Sequence, residues 1–194
     1  MSRHRLKGYP PPPKDCDDAN ESFLSDQYSG KDFSKYYKGL INGAGDQEKA
    51  LIFASERNLA KLGSHSKTIL ADGTFYTVPK IVNGKLYQTL IVHAGVLCEM
   101  LKASFQLSTC FFTEYKGHVF PIMKAIMSHK TRTIYDAVFA KLKELLPETV
   151  KPNLVITDYE QALQSSLGAI FPDATVCGCW FHYSQVRKII IIDN

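Results

Sequence analysis

The fold of this chain is decided by residues Thr68–Gly95, which read TILADGTFYTVPKIVNGKLYQTLIVHAG. Two β-prone runs flank Asn83-Gly84, and these two residue types tolerate the positive φ that a tight hairpin turn requires. The segment therefore predicts a long β-hairpin. Asp72 falls inside the first run, although Asp is disfavoured in strands. Two interpretations of Asp72 stay open: a surface-facing residue of an Asp-Gly turn or bulge, or a carboxylate kept for chemistry.

Composition predicts a globular protein in a reducing compartment. The 194 residues suffice for one domain of ordinary size and a tail, and 45% of them are hydrophobic. The net charge of +4 permits contact with a polyanion without requiring it. Five scattered cysteines do not make a secreted disulfide framework. The N-terminus lacks the apolar run of a signal peptide, and no apolar run approaches the roughly 20 residues of a membrane span.

Residues 1–45 are predicted to form a Pro-rich, partly disordered leader. Tyr9–Pro13 should be extended polyproline, serving as a spacer or as a ligand for a module with an aromatic groove. The neighbouring Lys14–Asp18 looks too polar to pack. The aromatic segment Phe23–Ile41 is expected to lie against the surface of a domain that spans residues 46–194.

The first part of this domain has an ambiguous element. The acidic start at residues 46–48 predicts a helix within Gln47–Leu62, although Ala50–Ala54 could instead form a short strand. His118–Met127 predicts a strand, and its early Pro121 suits an edge strand or the start of a strand.

The second part alternates strands and helices. Thr131 opens a predicted helix in which apolar residues recur every three or four positions, with Pro147 at or just past its end. Asn153–Asp158 and Ala174–Trp180 predict short strands on either side of another helix. The order hairpin, strand, helix, strand, helix, strand predicts an α/β fold with a mixed sheet.

Asp158 stands at the carboxyl end of its predicted strand, where α/β proteins place their sites. If that strand runs beside the strand of Asp72, the two carboxylates meet. They would repel by about 4 kcal/mol at ~4 Å, so they would need a shared proton or a cation such as Mg²⁺. Alternatively, Asp158 caps the next helix, with Gln161 completing a capping box. Glu160 is by default an acid of the helix start.

Cys179 and His182, with Cys177 nearby, have metal-ligating side chains at close spacing. A zinc site needs four ligands, so zinc is not expected, and a buried Cys beside a helix-start His is the alternative. Four basic residues are candidates for contacts with nucleic-acid phosphates, or are simply solvated: Lys130, Arg132, Arg187 and Lys188.

Together these stretches resemble the transposase domain of Mutator-like elements, the MULE family. The resemblance covers most of residues 50–185. It is carried by Leu51–Ala54, Asn58-Leu59, Ala71–Phe75, Pro79, Leu86–Gln88, Ile91–His93, Val119–Pro121, Lys130-Thr131, Tyr135, Thr157–Glu160, Phe171-Pro172 and Gly178–His182.

The resemblance implies a three-layer, ribonuclease H-like fold and a DDE-type DNA transposase. Such an enzyme cleaves and joins DNA strands with two divalent ions, Mg²⁺ or Mn²⁺, held by an acidic triad. By position, Asp72 matches the first acid and Asp158 the second, and Cys179 and His182 match a C-x-x-H motif that supports the site. DNA as partner, homo-oligomers and a nuclear location follow as expectations.

Two features depart from the family pattern. The third acid, a Glu, is expected on a helix well beyond the C-x-x-H motif, whereas the sequence ends at Asn194. We therefore expect a C-terminally truncated domain that is inactive alone. In addition, residues 97–116 have no counterpart in the pattern and are interpreted as an insert. The alternative function is a domesticated, non-catalytic remnant that binds DNA or a protein partner.

Overall fold

The computed structural model describes residues 13–25, 36–45, 47–62, 67–74, 86, 88–95, 119–179 and 182–183. Within these residues the chain forms four helices and seven strands. In chain order they are α1 (Cys16–Leu24), β1 (Tyr37–Asn42), β2 (Lys49–Ala54), α2 (Glu56–Leu62), β3 (Thr68–Thr74), β4 (Gln88–Gly95), β5 (Val119–Met127), α3 (Arg132–Leu145), β6 (Leu154–Thr157), α4 (Gln161–Ile170) and β7 (Thr175–Gly178).

All seven strands belong to one mixed sheet in the order β1-β2-β5-β4-β3-β6-β7. Within the sheet, each neighbouring pair in the series β1-β2-β5-β4-β3 is antiparallel. Strand β6 runs parallel to β3, and β7 runs parallel to β6. The α/β class with a mixed sheet is thereby confirmed. The parallel part is built from strand-helix-strand units, because α3 connects β5 to β6 and α4 connects β6 to β7.

The predicted hairpin is present as the antiparallel pair β3–β4. Its register runs from Thr68 opposite Gly95 to Thr74 opposite Thr89. The predicted turn at Asn83-Gly84 lies outside the described residues, and so does the continuation of the first strand through residues 75–78.

Side-chain alternation in β2 shows that helices pack on both faces of the sheet. Ala50, Ile52 and Ala54 join the main core, which also contains the buried faces of α3 and α4. Leu51 and Phe53 point to the opposite face, where α1 packs. Period-two alternation of buried residues on two faces is what a strand between two layers requires.

Helix α3 is the main support of the larger core. Thr131 caps it, since its Oγ1 accepts a hydrogen bond from the backbone N–H of Ile134 at 3.4 Å. Pro147 lies just past its end, as predicted. Its fully buried side chains are Ile134, Tyr135, Val138, Phe139 and Leu142.

The prediction that Lys14–Asp18 is too polar to pack is wrong. Asp15 caps α1 by accepting a hydrogen bond from the N–H of Asp18 at 2.9 Å. Cys16 and Ala19, three positions apart, share the buried face of the helix. The acidic residues stay outside, where Asp17 pairs with Lys49 of β2. Helical periodicity thus separates the polar from the apolar residues of a segment whose average composition is polar.

Farther along α1, the aromatic residues of the leader pack as expected. The ring of Phe23 contacts the rings of Tyr37 and Phe53 at centroid distances of 5.1 and 5.5 Å. Residues within 1–45 therefore contribute both α1 and the edge strand β1 to the folded body.

Two other ambiguous elements are resolved. Ala50–Ala54 is a strand, and only Glu56–Leu62 of the predicted helical window is helical. Pro121 lies near the start of β5, but β5 is an interior strand between β2 and β4, so the edge alternative is wrong. The proline is tolerated there because the β4–β5 register shifts beside it and because β2 pairs with β5 only from Met123 onward.

Candidate active site

The two candidate acids stand at the same level of neighbouring parallel strands. β3 and β6 are in register from Thr68 beside Leu154 to Ala71 beside Thr157. Asp72 follows Ala71, and Asp158 follows Thr157 as the first residue beyond β6. Adjacent strands lie about 4.8 Å apart, so the backbones at these two acids are neighbours.

The exposure of Asp72 follows from strand alternation. Ala71 is 2% exposed and belongs to the main core, so the next side chain points to the opposite face of the sheet. The Asp72 side chain is 57% exposed there. A carboxylate held on a strand and open to solvent can bind a cation without first paying a large desolvation cost.

Asp158 is half-buried and is oriented by its own loop. Its Oδ1 accepts a hydrogen bond from the backbone N–H of Glu160 at 2.9 Å. Its backbone carbonyl accepts one from Nε2 of Gln164 at 2.8 Å. The predicted capping box with Gln161 is wrong: Glu160 occupies the N-cap position of α4 and makes no side-chain capping bond. Two residues, Asp158 and Tyr159, lie between the end of β6 and this N-cap, and the Asp158 side chain turns back on its own loop.

The C-x-x-H segment reaches the first acid. The backbone N–H of Cys179 donates to the Thr157 carbonyl at 2.7 Å, which places this segment beside the end of β6. Nε2 of His182 then lies 3.7 Å from Oδ1 of Asp72. Cys179 is a free thiol of intermediate exposure, so the expectation of a buried cysteine is wrong.

Tyr159 and Tyr183 form an aromatic pair next to the acids. Their ring centroids are 6.3 Å apart at an interplanar angle of 47°. The Tyr159 ring lies directly over Gly178: a Cβ placed there would come within 2.4 Å of its Cε1 and Cζ atoms. Glycine at 178 is therefore required for the ring to occupy this position.

Behind Asp158 lies a buried polar group that sequence reasoning missed. The hydroxyl of Tyr135 is 3.0 Å from Oε1 of Gln88 and 3.2 Å from Oε2 of Glu160. Gln88 is fully buried, and its Nε2 has no hydrogen-bond partner among the described residues. A usable signal was the position of Gln88 in β4, where alternation with Leu90 and Val92 puts it on the core face.

Burial raises the pKa of the Glu160 carboxyl above its usual value, and the nearby charge of Asp158 adds to this rise. The charge of Lys130 and the hydrogen bond with Tyr135 oppose it. Burial also raises the pKa of Tyr135, and the charge of Glu160 adds to that effect, so the phenol stays protonated. Since this hydroxyl has one proton for two acceptors, a protonated Glu160 would complete the pairing by donating to it.

The family model described as MULE transposase domain matches residues 100–186. Over this segment the chain is similar to the MULE transposase domain. The resemblance read from the sequence motifs is thereby confirmed for this part of the chain. No curated protein matches the chain.

The MULE segment contains Asp158, Cys179 and His182, whereas Asp72 precedes it. The site thus combines one acid of the matched segment with one acid that β3 brings from outside it. The match also begins within residues 97–116, the stretch interpreted as an insert, which lies outside the described residues.

The four basic residues predicted to contact phosphates have different surroundings in the structure. Lys130 is exposed, and its charge acts on Glu160. Arg132 in the first turn of α3 pairs with Asp136, its Nε lying 2.9 and 3.1 Å from the two carboxylate oxygens. Arg187 lies beyond the matched segment, and both Arg187 and Lys188 lie outside the described residues.

MULE transposases imply a divalent metal in general, and the donor chemistry here suits Mg²⁺ or Mn²⁺ better than zinc. Among the described residues, no three His, Cys, Asp or Glu side chains are gathered into a metal site. Mg²⁺ does not require such a group, because it retains several waters and binds through one or two carboxylates. Asp72 and Asp158 are carboxylates that follow paired residues of neighbouring strands, and Asp72 is largely exposed.

Within the described part of the chain, no helix combines the length and the apolar composition needed to traverse a lipid bilayer.

Proposed function

We propose that this chain carries a ribonuclease H-like domain of the kind that cleaves and joins DNA strands in MULE transposition. The single observation that carries the proposal is the register of β3 and β6, which pairs Ala71, the residue before Asp72, with Thr157, the residue before Asp158. Eighty-five residues separate these acids in the sequence, so the closeness of their backbones depends on strand pairing. The family match supports DNA as the substrate. A nuclear site of action and homo-oligomers belong to the proposal on the strength of the resemblance alone.

Strand order supports the ribonuclease H-like part of the proposal. The segment β5-β4-β3-β6-β7 has an antiparallel three-stranded meander followed by two strands parallel to β3. The first acid then lies on the central strand of these five, and the second acid follows the neighbouring strand. The resemblance to MULE transposases implies a ribonuclease H-like fold that holds both acids, and this arrangement is compatible with that proposal.

Each residue has a proposed role. Asp72 and Asp158 would hold the divalent ion, whose chemistry is to activate water or a 3′-hydroxyl and to stabilise the leaving oxygen. The Glu160 N–H keeps one oxygen of Asp158 directed within its loop. His182 faces Asp72 from the C-x-x-H segment and restricts where that carboxylate can move.

Metal binding tests the proposal directly. Mn²⁺ binding is measured by electron paramagnetic resonance. We expect the native chain to bind Mn²⁺ and the Asp72→Asn, Asp158→Asn double variant to lose most of this affinity. Asp173→Asn is the matched control, because this exposed carboxylate precedes β7 at the opposite end of the sheet from Asp158. Equal Mn²⁺ binding by the native chain and the double variant would contradict the proposal.

The alternative function is a non-catalytic, domesticated remnant that binds DNA or a protein partner. Mn²⁺-dependent nicking of supercoiled plasmid separates the two functions. Nicking that disappears in the double variant supports the transposase, whereas DNA binding without nicking supports the remnant.

A further inference from the structure

Exposed aromatic side chains are concentrated beside the acid pair. Among the described residues, the large apolar or aromatic side chains with high exposure are Leu24, Tyr36, Tyr159 and Tyr183. Two of the four are next to site residues, because Tyr159 follows Asp158 and Tyr183 follows His182. Tyr159 is 54% exposed although its ring is in contact with the protein.

The contacts of Tyr159 hold the ring in place and leave much of it open. Its Cε1, Cζ and Oη atoms lie against the backbone at Gly178, and Tyr183 contacts the ring at 6.3 Å. A ring supported by main chain loses little conformational freedom when a ligand stacks on it. An exposed aromatic ring in a fixed orientation is the form that stacking platforms for nucleic-acid bases take.

The charges at the site favour a base over a phosphate as the partner of this ring. Asp72 and Asp158 are negative and repel a phosphate that is not accompanied by a cation. The face of a base is uncharged and stacks on tyrosine whatever the base identity. In an intact duplex these faces are covered by neighbouring bases, so only an unpaired or extruded base can offer one.

We propose that Tyr159, supported by Gly178 and Tyr183, stacks on an unpaired base next to the DNA bond that the acid pair acts on. This inference rests on the proposed function and specifies its substrate: DNA that is unpaired or distorted at the site of cleavage. The base is held through its face, so the contact is independent of base sequence.

The test is a binding comparison without metal, so that it does not depend on cleavage. A fluorescein-labelled duplex with a splayed, unpaired end and a blunt duplex of the same length are titrated in EDTA by anisotropy. We expect the native chain to prefer the splayed DNA. Tyr159→Ala should weaken binding of the splayed DNA about tenfold and leave blunt-duplex binding unchanged. Tyr159→Phe, which keeps the ring, should retain the preference.

Two further variants separate stacking from a general effect on the surface. Gly178→Ala keeps Tyr159 but displaces its ring, and should therefore weaken splayed-DNA binding like Tyr159→Ala. Tyr36→Ala removes a tyrosine of similar exposure, 48%, next to β1 at the opposite edge of the sheet, and should change nothing. Equal affinity of native chain and Tyr159→Ala, no preference for splayed DNA, or an equal loss in Tyr36→Ala overturns the proposal.

Metal binding distinguishes this inference from the proposed function. Mn²⁺ affinity should be the same in Tyr159→Ala and in the native chain, since the ring donates no ligand. Loss of the DNA preference with normal Mn²⁺ binding supports both ideas. If Mn²⁺ binds normally through the two acids and Tyr159→Ala has no effect on DNA binding, the stacking proposal is wrong and the proposed metal site is still supported.

Discussion

His182 Nε2 lies 3.7 Å from Oδ1 of Asp72, which joins the C-x-x-H segment to the acid on the central hairpin. The two residues come from opposite ends of the domain in sequence. Their contact leaves Asp72 largely exposed but brings the segment that follows β7 to one side of it. The C-x-x-H motif is thus part of the wall of the candidate active site.

His182→Ala should change the free energy of unfolding by less than about 1 kcal/mol. The two side chains are 33% and 57% exposed, and partly exposed ion pairs contribute little because solvent screens them. Urea unfolding measures this free energy. The single variant Asp72→Asn and the double variant His182→Ala, Asp72→Asn complete a thermodynamic cycle for the contact. A loss above about 2 kcal/mol would indicate that His182 stabilises the fold through other contacts.

Glu160→Gln should stabilise the protein at neutral pH but not under acid conditions. The folded pKa of Glu160 is raised, so the folded state binds more protons than the unfolded state between the two pKa values. Stability from this group is therefore fully present below the unfolded pKa of about 4.3 and is lost as pH rises through the folded pKa.

The measurement for Glu160 is urea unfolding of both proteins from pH 4 to pH 8. The difference in unfolding free energy between Glu160→Gln and the native chain should be smallest near pH 4 and should grow in favour of the variant as pH rises. Glu144→Gln, at an exposed site on α3, is the control. A difference that is independent of pH would show that burial does not raise the Glu160 pKa.

Tyr135→Phe should cost about 1–3 kcal/mol of stability, because it leaves the buried Gln88 amide without its hydroxyl partner. Since the hydrogen bond from Tyr135 lowers the Glu160 pKa, the same substitution should also move the pH dependence of stability upward. Tyr36→Phe, at an exposed tyrosine, should stay within about 0.5 kcal/mol in the same urea unfolding series. An equal cost for the two substitutions would contradict the proposed role of the Tyr135 hydroxyl.

Gly73→Ala should destabilise the fold by about 1–3 kcal/mol through overpacking, although Ala is ordinarily the better residue inside a strand. A Cβ at Gly73 would lie 1.7 Å from Nε2 and 2.7 Å from Cδ of Gln88. Gln88 cannot move aside at low cost, because it is fully buried and bonded to Tyr135.

A double-mutant cycle tests this close approach. In a Gln88→Ala background, Gly73→Ala should be neutral or stabilising, since the overlapping side chain is gone. Additive effects in the cycle would mean that some other neighbour opposes a side chain at position 73.

Local patterns were sufficient to predict most elements of the second half of the chain. Thr131 followed by apolar residues at helical spacing predicted α3, and the short apolar run ending at Asp158 predicted β6. These predictions succeed because capping and periodicity act within a few residues. The motifs also predicted the family resemblance that the match to residues 100–186 confirms.

What the sequence by itself determined, then, was the type of each strongly periodic element and the identity of the two acids worth comparing. Only the tertiary structure decided that β3 and β6 are parallel neighbours in a register that sets Asp72 beside Asp158. It alone brought His182 to Asp72, Tyr159 onto Gly178, and Gln88 to Tyr135. The physical reason is that strand pairing and core packing join residues far apart in the chain, whereas propensity and spacing describe only neighbours along it.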